Sequence, residues 1–354
     1  MIANTAINRT GYGIASLNIL KALYEIDNNI SFFPIGGPGV DNKNDYDFVN
    51  LIYRNSLTAN FEEPCLKIWH QFDLASRIGK GKYYAYPFFE LDTFNDLEKR
   101  HMSVPDHIFA SSKWAMEILS SNGINAPISV IPLGVDTKVF DYKKINQNKD
   151  EQKYIFTNIG KWEVRKGHDF LYSVFSETFP DEQDVELWIL ASENTNSYSS
   201  KEDLIAWKKL YSKDSRIKLF SGFNGHEEIA DFISKIDCGV FPSRAEGWNL
   251  ELLECMAMNK PVICTDYSAH TEFCNKDNSY LIDIENLEKA YDGKAFNGQG
   301  SWAEIGNKQI NQLKEYMRHC YENNIRNNQN GLITAQKLSW NNSANIVYGC
   351  MNSE

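Results

Sequence analysis

Two carboxylates eight residues apart, Glu246 and Glu254, sit in the stretch Phe241-Pro-Ser-Arg-Ala-Glu246-Gly-Trp-Asn-Leu-Glu-Leu-Leu-Glu254. What they do depends on the backbone between them. Cys238 to Pro242 is apolar and reads as a buried strand, and Ser243 to Gly247 is a polar bend. Leu250, Leu253 and Met256/Ala257 recur at helical spacing, so a helix starts near Asn249. Strand, tight bend and helix N-terminus make an anion site, because the first helical N–H groups lack partners and the dipole is positive there. Carboxylates repel phosphate, so Glu246 and Glu254 suit hydroxyls. Phosphate and hydroxyls side by side describe a sugar nucleotide. On spacing alone, a solvated helix face is the usual reading of such a pair, and Glu251 with Glu254 at i, i+3 forms one.

A second chemical cluster is Gly160-Lys161-Trp-Glu-Val-Arg165-Lys166-Gly167, which follows an expected strand at Tyr154–Ile159. Cations at a strand's carboxyl end fit a diphosphate clamp, the alternative being a solvated basic loop. His70 follows another strand and precedes Gln-Phe-Asp73, where it either meets a ligand or is structural. Asp45-Tyr-Asp47 has the look of a metal-holding Asp-x-Asp, but it precedes Phe48-Val-Asn-Leu-Ile and reads as a helix cap. No metal site is expected, since no His/Cys/Glu cluster has ligand spacing. A Ser-His-Asp arrangement and a Walker loop are absent, and Gly11-Tyr-Gly13 lacks the third glycine of a dinucleotide fingerprint.

The elements that must position these residues alternate. Strand, glycine loop and helix open the chain at Ile2–Ile7, Asn8–Gly13 and Ile14 onward. Strands are expected at Ser31–Ile35, Leu66–Trp69, Tyr83–Phe88, Asp106–Ala110 and Ile128–Ile131. After a polar break at 141–153 the alternation restarts at Tyr154–Ile159, Val185–Ala191, Ile217–Ser221, Cys238–Pro242 and Val262–Thr265. A length of 354 residues allows two domains, drawn here at 1–145 and 146–337, with a helical segment from about Asn341 to Met351 ending the sequence. Two doubly wound α/β domains follow, with ligands at the carboxyl ends of their strands and a cleft between them. The formal net charge of −11, with no basic stripe, disfavours nonspecific nucleic-acid binding. No run of 18 apolar residues and no secretory signal is visible, and seven scattered cysteines without Cys-x-x-Cys suit reduced thiols in the cytoplasm.

Together these stretches resemble the retaining GT-B glycosyltransferases of family 4. Five segments match in order: Gly11-Tyr-Gly13, Ala110-Ser-Ser-Lys-Trp114, Val130-Ile-Pro-Leu-Gly-Val-Asp136, Gly160-Lys161 through Lys166-Gly167, and Phe241-Pro-Ser with the Glu246-to-Glu254 element. The resemblance implies that Lys161 and Lys166 contact the donor diphosphate, with Arg165 as a substitute because Lys161 stands where the family usually has Arg. It implies that Glu246 holds the transferred sugar, that backbone at Gly247, Trp248, Asn249 and Leu250 meets sugar and phosphate, and that Glu254 holds the ribose. Gly11, Tyr12 and Gly13 would bring backbone to the donor phosphate, and His70 would position substrate near the donor sugar. The chain departs from the family at Asn249 and Asn259, and at Tyr267-Ser-Ala-His270-Thr-Glu272, where a Gly-Gly pair is common. The implied reaction is metal-independent transfer from a UDP- or GDP-linked sugar, with retention, to the hydroxyl of a glycan, lipid-linked saccharide or other acceptor, with no cofactor. The resemblance also implies that a helix from about 338 to 354 crosses back to the first domain. A peripheral membrane contact is compatible with this. The rival readings are a viral-type transferase acting on a hydroxylated DNA base and a catalytically silent GT-B binding subunit.

Overall fold

The computed structural model describes residues 1–144, 152–192, 201–223 and 225–352. The chain divides into two units, Met1–Asp136 with Leu338–Glu354, and Thr137–Lys337. The boundary expected at 145/146 lies outside the described residues.

In the first unit, short runs become strands of a parallel sheet whose inner members are buried on both faces, as a covering of helices requires, while its two edges are partly exposed. The order is β1 (Ile2–Thr5), α1 (Gly11–Ile26), β2 (Ser31–Pro34), α2 (Lys43–Asn55), β3 (Cys65–Ile68), β4 (Tyr83–Ala85), α3 (Asp96–Met102), β5 (His107–Ala110), α4 (Lys113–Ser121) and β6 (Ile128–Val130). The sheet runs β2-β1-β3-β4-β5-β6, with every recorded pairing parallel. Ile2, Tyr83, Phe89, Ile108 and Leu119 belong to its core.

Three expectations shift here. The glycine loop is the first turn of α1, because Thr10 caps that helix and its hydroxyl accepts from the Gly13 N–H at 3.4 Å. Strand β4 stops at Ala85, short of the expected Phe88, just before Pro87, which lacks the N–H a ladder needs. Helix α2 starts before the expected Phe48, and its cap is Asn42, whose side chain accepts from the Asp45 N–H at 2.9 Å.

The second unit contains β7 (Tyr154–Lys161), α5 (Leu171–Thr178), β8 (Val185–Ser192), α6 (Lys201–Tyr211), β9 (Ile217–Phe220), α7 (His226–Lys235), β10 (Cys238–Phe241), α8 (Leu250–Ala257), β11 (Val262–Thr265), α9 (His270–Phe273) and β12 (Tyr280–Ile282). A hairpin of β13 (Leu287–Tyr291) and β14 (Asn297–Ala303) follows, then α10 (Asn307–Glu322) and α11 (Gln329–Lys337). The second parallel sheet runs β12-β11-β10-β7-β8-β9. The chain winds outward from β7 through β8 to β9, then returns to add β10 on the opposite side. The order therefore reverses between β7 and β10, which places a topological switch point at their carboxyl ends.

Helix α12 (Trp340–Asn352) belongs to the first unit and packs on α1. Its Ser343 hydroxyl donates to the Pro132 carbonyl at 2.6 Å, and Val135 N–H donates to the Leu338 carbonyl at 3.0 Å. The returning backbone crosses so close to Gly134 that an added Cβ would lie 2.3 Å from the Trp340 nitrogen. Among the described residues, no helix is long and apolar enough to cross a membrane.

Candidate active site

The loops leaving β7 and β10 are sewn together at the switch point. After Lys161, the last residue of β7, the chain makes a 3-10 turn at Val164–Lys166, closed by Gly167 at φ 84°. A side chain at Gly167 would meet the Phe170 ring at 2.9 Å and Pro242, just past β10, at 3.0 Å. Arg244 fastens the two loops. Its N–H donates to the Arg165 carbonyl at 2.7 Å, and its guanidinium bonds Val164 O at 2.5 Å and grips Asp169 with two bonds of 2.9 and 2.8 Å.

Glu246 lies inside this junction, 4% exposed. Arg165 Nη1 donates to its Oε2 at 2.6 Å, and Lys166 Nζ stands 2.9 Å from Oε1, off the line of a hydrogen bond. Arg165 Nη2 donates to Glu163 Oε2 at 2.8 Å, and Nη1 also reaches the Ala245 carbonyl at 2.7 Å. Burial alone would raise the Glu246 carboxyl, but the charges of Arg165 and Lys166 outweigh it and hold the group well below the usual carboxylate range. For Lys166, burial works against the ammonium and Glu246 and Glu251 override it, so its pKa is raised.

Asn249 explains how the bend becomes a helix. It adopts the left-handed conformation, φ 82°, which Asn tolerates better than most residues. Its Oδ1 caps α8 by accepting from the Leu252 N–H at 3.2 Å, and its Nδ2 donates to His270 Nε2 at 2.9 Å. His270 Nδ1 is 3.0 Å from the Thr265 carbonyl, which can only accept, so the ring proton sits on Nδ1 and Nε2 is the acceptor. Burial pushes the His270 pKa down to about 4, so the ring is neutral at ordinary pH. Asn249 and the His270 loop, two of the three departures from the family pattern, are thus bonded to each other.

Glu254, one turn into α8, contrasts with Glu246. It is buried, and among the described residues its carboxylate takes no hydrogen bond or ion pair. Burial, reinforced by Glu251, raises its pKa well above the ordinary value. Ser243 Oγ, Trp248 Nε1 and Glu163 Oε1 are also buried without a hydrogen-bond partner. Such atoms carry a desolvation penalty unless something completes them.

Lys161, Arg165, Lys166, Glu246, Gly247, Trp248, Asn249, Leu250 and Glu254 thus gather in the second unit. Three terminal-nitrogen hydrogen bonds of Arg165 go to the Glu163 and Glu246 carboxylates and the Ala245 carbonyl, groups other than the diphosphate expected of it. The other candidates lie in the first unit, also at a strand-order reversal, between β1 and β3. His70 stacks on Phe72 at 4.9 Å and touches the Tyr12 ring at 4.4 Å. The Tyr12 hydroxyl donates to the Phe88 carbonyl at 2.7 Å and accepts from the Phe88 N–H at 2.8 Å. The space a Cβ would need at Gly13 is filled by Asn8 backbone at 2.2 Å, whereas Gly11 faces open space. The missing side chain at Gly13 therefore serves the chain's own turn. Among the described residues, no group of three His, Cys, Asp or Glu is placed to hold a metal.

Glu163, Arg244 and Ser268 were not singled out from sequence. Ser268 accepts the Glu246 N–H at 2.8 Å. The only local signal was Glu163 lying between Lys161 and Arg165.

Residues 153–293 match the family model for glycosyl transferases group 1. The solved structure of sucrose-phosphate synthase from Thermosynechococcus elongatus superposes with a TM-score of 0.71 at 14% identity, over 99% of this chain and 97% of that one. The fold is GT-B. The lipopolysaccharide core biosynthesis mannosyltransferase LpsB of Rhizobium meliloti (strain 1021) is 27% identical over 183 residues, 49% of this chain and 51% of that protein. An MMP alpha-(1->4)-mannosyltransferase of Mycolicibacterium hassiacum is 27% identical over 186 residues, 52% of this chain and 43% of that protein. The chain thus spans about half the length of the curated relatives it matches. The GT-B switch point in the second unit falls inside the family match, and so does the whole Glu246-to-Glu254 element.

Proposed function

We propose that this GT-B protein is a retaining glycosyltransferase of the family 4 type, moving a sugar from a nucleoside diphosphate sugar to an acceptor hydroxyl. The observation that carries the reading is the contrast at the β7/β10 switch point. One carboxylate, Glu246, is held ionised between two cations, and a second, Glu254, is buried with no partner of its own.

A carboxylate fixed in its charged form accepts hydrogen bonds from sugar hydroxyls. A buried carboxyl without partners gains them when ribose hydroxyls arrive, which offsets its desolvation. As the diphosphate leaves, the anomeric carbon becomes positive and the leaving group negative. Lys161, Lys166 and the N-terminus of α8 stabilise that leaving charge, and preorganised charges of this kind contribute several kcal/mol. The acceptor hydroxyl attacks from the face the leaving group vacates, its oxygen bonding the anomeric carbon as the bond to the diphosphate breaks, and its proton passes to the departing diphosphate oxygen. His70 positions substrate in this scheme and is given no proton to move. The ammonium groups and helix dipole take the neutralising role a metal would otherwise have.

The donor is UDP- or GDP-linked. The acceptor is a glycan or lipid-linked saccharide, in keeping with two relatives whose names describe mannosyltransferases. The free cysteines suit a cytoplasmic setting. The test is proton NMR of the product formed from an α-linked donor. An α-linked product, undiminished by EDTA, is expected, whereas a β-linked product or strict metal dependence overturns the reading.

A further inference from the structure

We infer that Glu163 and Arg165 form a buried bracket that orients Glu246 toward the donor sugar, and that neither residue binds the diphosphate. The inference rests on the glycosyltransferase reading and deepens it, because it makes sugar recognition separable from phosphate recognition within one cationic loop.

The geometry is specific. Glu163 is 1% exposed, Arg165 6% and Glu246 4%. The guanidinium lies between the two carboxylates, with Nη2 on Glu163 Oε2 at 2.8 Å and Nη1 on Glu246 Oε2 at 2.6 Å. Nη1 adds the Ala245 carbonyl at 2.7 Å, which fixes the plane of the fork relative to the bend. Only arginine has a rigid planar fork that can bridge two carboxylates in this way, since a lysine ammonium is a point charge.

The consequence falls on the two oxygens of Glu246. Oε2 is occupied by the bracket. Oε1 is buried and faces Lys166 Nζ at 2.9 Å without a well-aligned hydrogen bond, so it lacks the donor that a sugar hydroxyl would supply. Lys166, as buried as Arg165, lies 3.9 Å from Oε2 of the partly exposed Glu251, beyond hydrogen-bond distance, so its ammonium is not locked by paired hydrogen bonds as the guanidinium is. Arg165 has both terminal nitrogens already committed to carboxylates, Glu246 on one and Glu163 on the other. Glu163 acts only through Arg165 and is a positioning residue. Its other oxygen, Oε1, is buried without a partner, a burial cost that bracing Arg165 would account for.

The experiment compares wild type, Arg165→Lys, Glu163→Ala, Glu163→Gln and Lys166→Ala. Calorimetry measures the affinity for UDP and for GDP, and steady-state kinetics measures release of the nucleotide from UDP-glucose and GDP-mannose. Circular dichroism confirms that each variant is folded. With the bracket loosened, nucleoside diphosphate affinity stays within about twofold of wild type. The kcat falls ~10- to 100-fold, the scale of a slightly misplaced reacting group. Glu163→Gln, which keeps an acceptor for Arg165 Nη2, recovers part of the loss seen in Glu163→Ala. Lys166→Ala instead loses nucleoside diphosphate affinity. A parallel loss of UDP or GDP affinity in Arg165→Lys makes Arg165 a phosphate ligand and overturns the bracket. Unchanged kcat in folded Glu163→Ala overturns it as well. A wild type that binds no nucleoside diphosphate removes the donor reading itself and this inference with it, an outcome distinct from the previous two.

Discussion

Glu246 and Glu254 share a residue type and one helix entry, yet their surroundings push them in opposite directions. Glu246 is depressed by Arg165 and Lys166 against its burial, so it stabilises the fold above the unfolded carboxylate pKa of about 4.3, and that stabilisation is lost as pH falls through the folded value. Removing its charge leaves two buried cations uncompensated. Glu246→Gln is therefore expected to destabilise by roughly 3–5 kcal/mol near neutral pH, with the gap to wild type narrowing in acid. Glu254 is raised by burial, so the folded state binds the extra proton and stability declines as pH rises above about 4.3 toward the folded value. Glu254→Gln is expected to melt above wild type, by more as pH increases, while donor affinity drops. Melting curves of both variants across pH check the two signs together, and equal pH dependence for the two would refute the contrast. At this scale the sequence exposed the glutamates but not their partners. Arg165 meets Glu246 across 81 positions, and Asn249 meets His270 across 21, distances at which spacing carries no information.

At the scale of elements, the loop-to-helix junctions decide the site. Gly13 and Gly11 look alike in the sequence, but an added Cβ strikes Asn8 backbone at 2.2 Å in one case and open space in the other. Gly13→Ala is expected to cost about 1–3 kcal/mol, and Gly11→Ala to be neutral or slightly stabilising, as thermal melting would reveal. Asn249 combines a left-handed backbone with a cap. Asn249→Gly keeps the conformation but leaves the buried His270 Nε2 without its donor, at about 1–3 kcal/mol, and Asn249→Ala is expected to cost about 1–3 kcal/mol more, because it also loses the cap and adds left-handed strain. Strands β7 and β10 and the start of α8 were legible because apolar runs and helical spacing are local signals. The hairpin was not. Strand β14 reads Asn-Gly-Gln-Gly-Ser-Trp-Ala, with two glycines and little β-propensity, and it forms by antiparallel pairing with β13 and an Ala303 N–H bond to the Arg244 carbonyl.

At the scale of the molecule, the α/β alternation was enough to announce two doubly wound units, while the division between Asp136 and Thr137 lies ahead of the polar run at 141–153. The return of α12 to the first unit followed only from the resemblance, because its partners Pro132, Val135 and α1 are distant in sequence. Deleting Leu338–Glu354 should lower the melting transition of the Met1–Asp136 unit, since it uncovers α1 and removes the bonds to Pro132 and Val135, and a calorimetric trace unchanged by the deletion would contradict this. The central claim is that one switch point, between β7 and β10, holds a nucleotide sugar for transfer. The most direct measurement is nucleotide release from a panel of UDP-, GDP- and ADP-sugars by wild type, Lys166→Ala and Glu246→Ala. Release by the wild type from at least one donor, falling at least ~100-fold in both variants, is the predicted result. Turnover unchanged in both would contradict it.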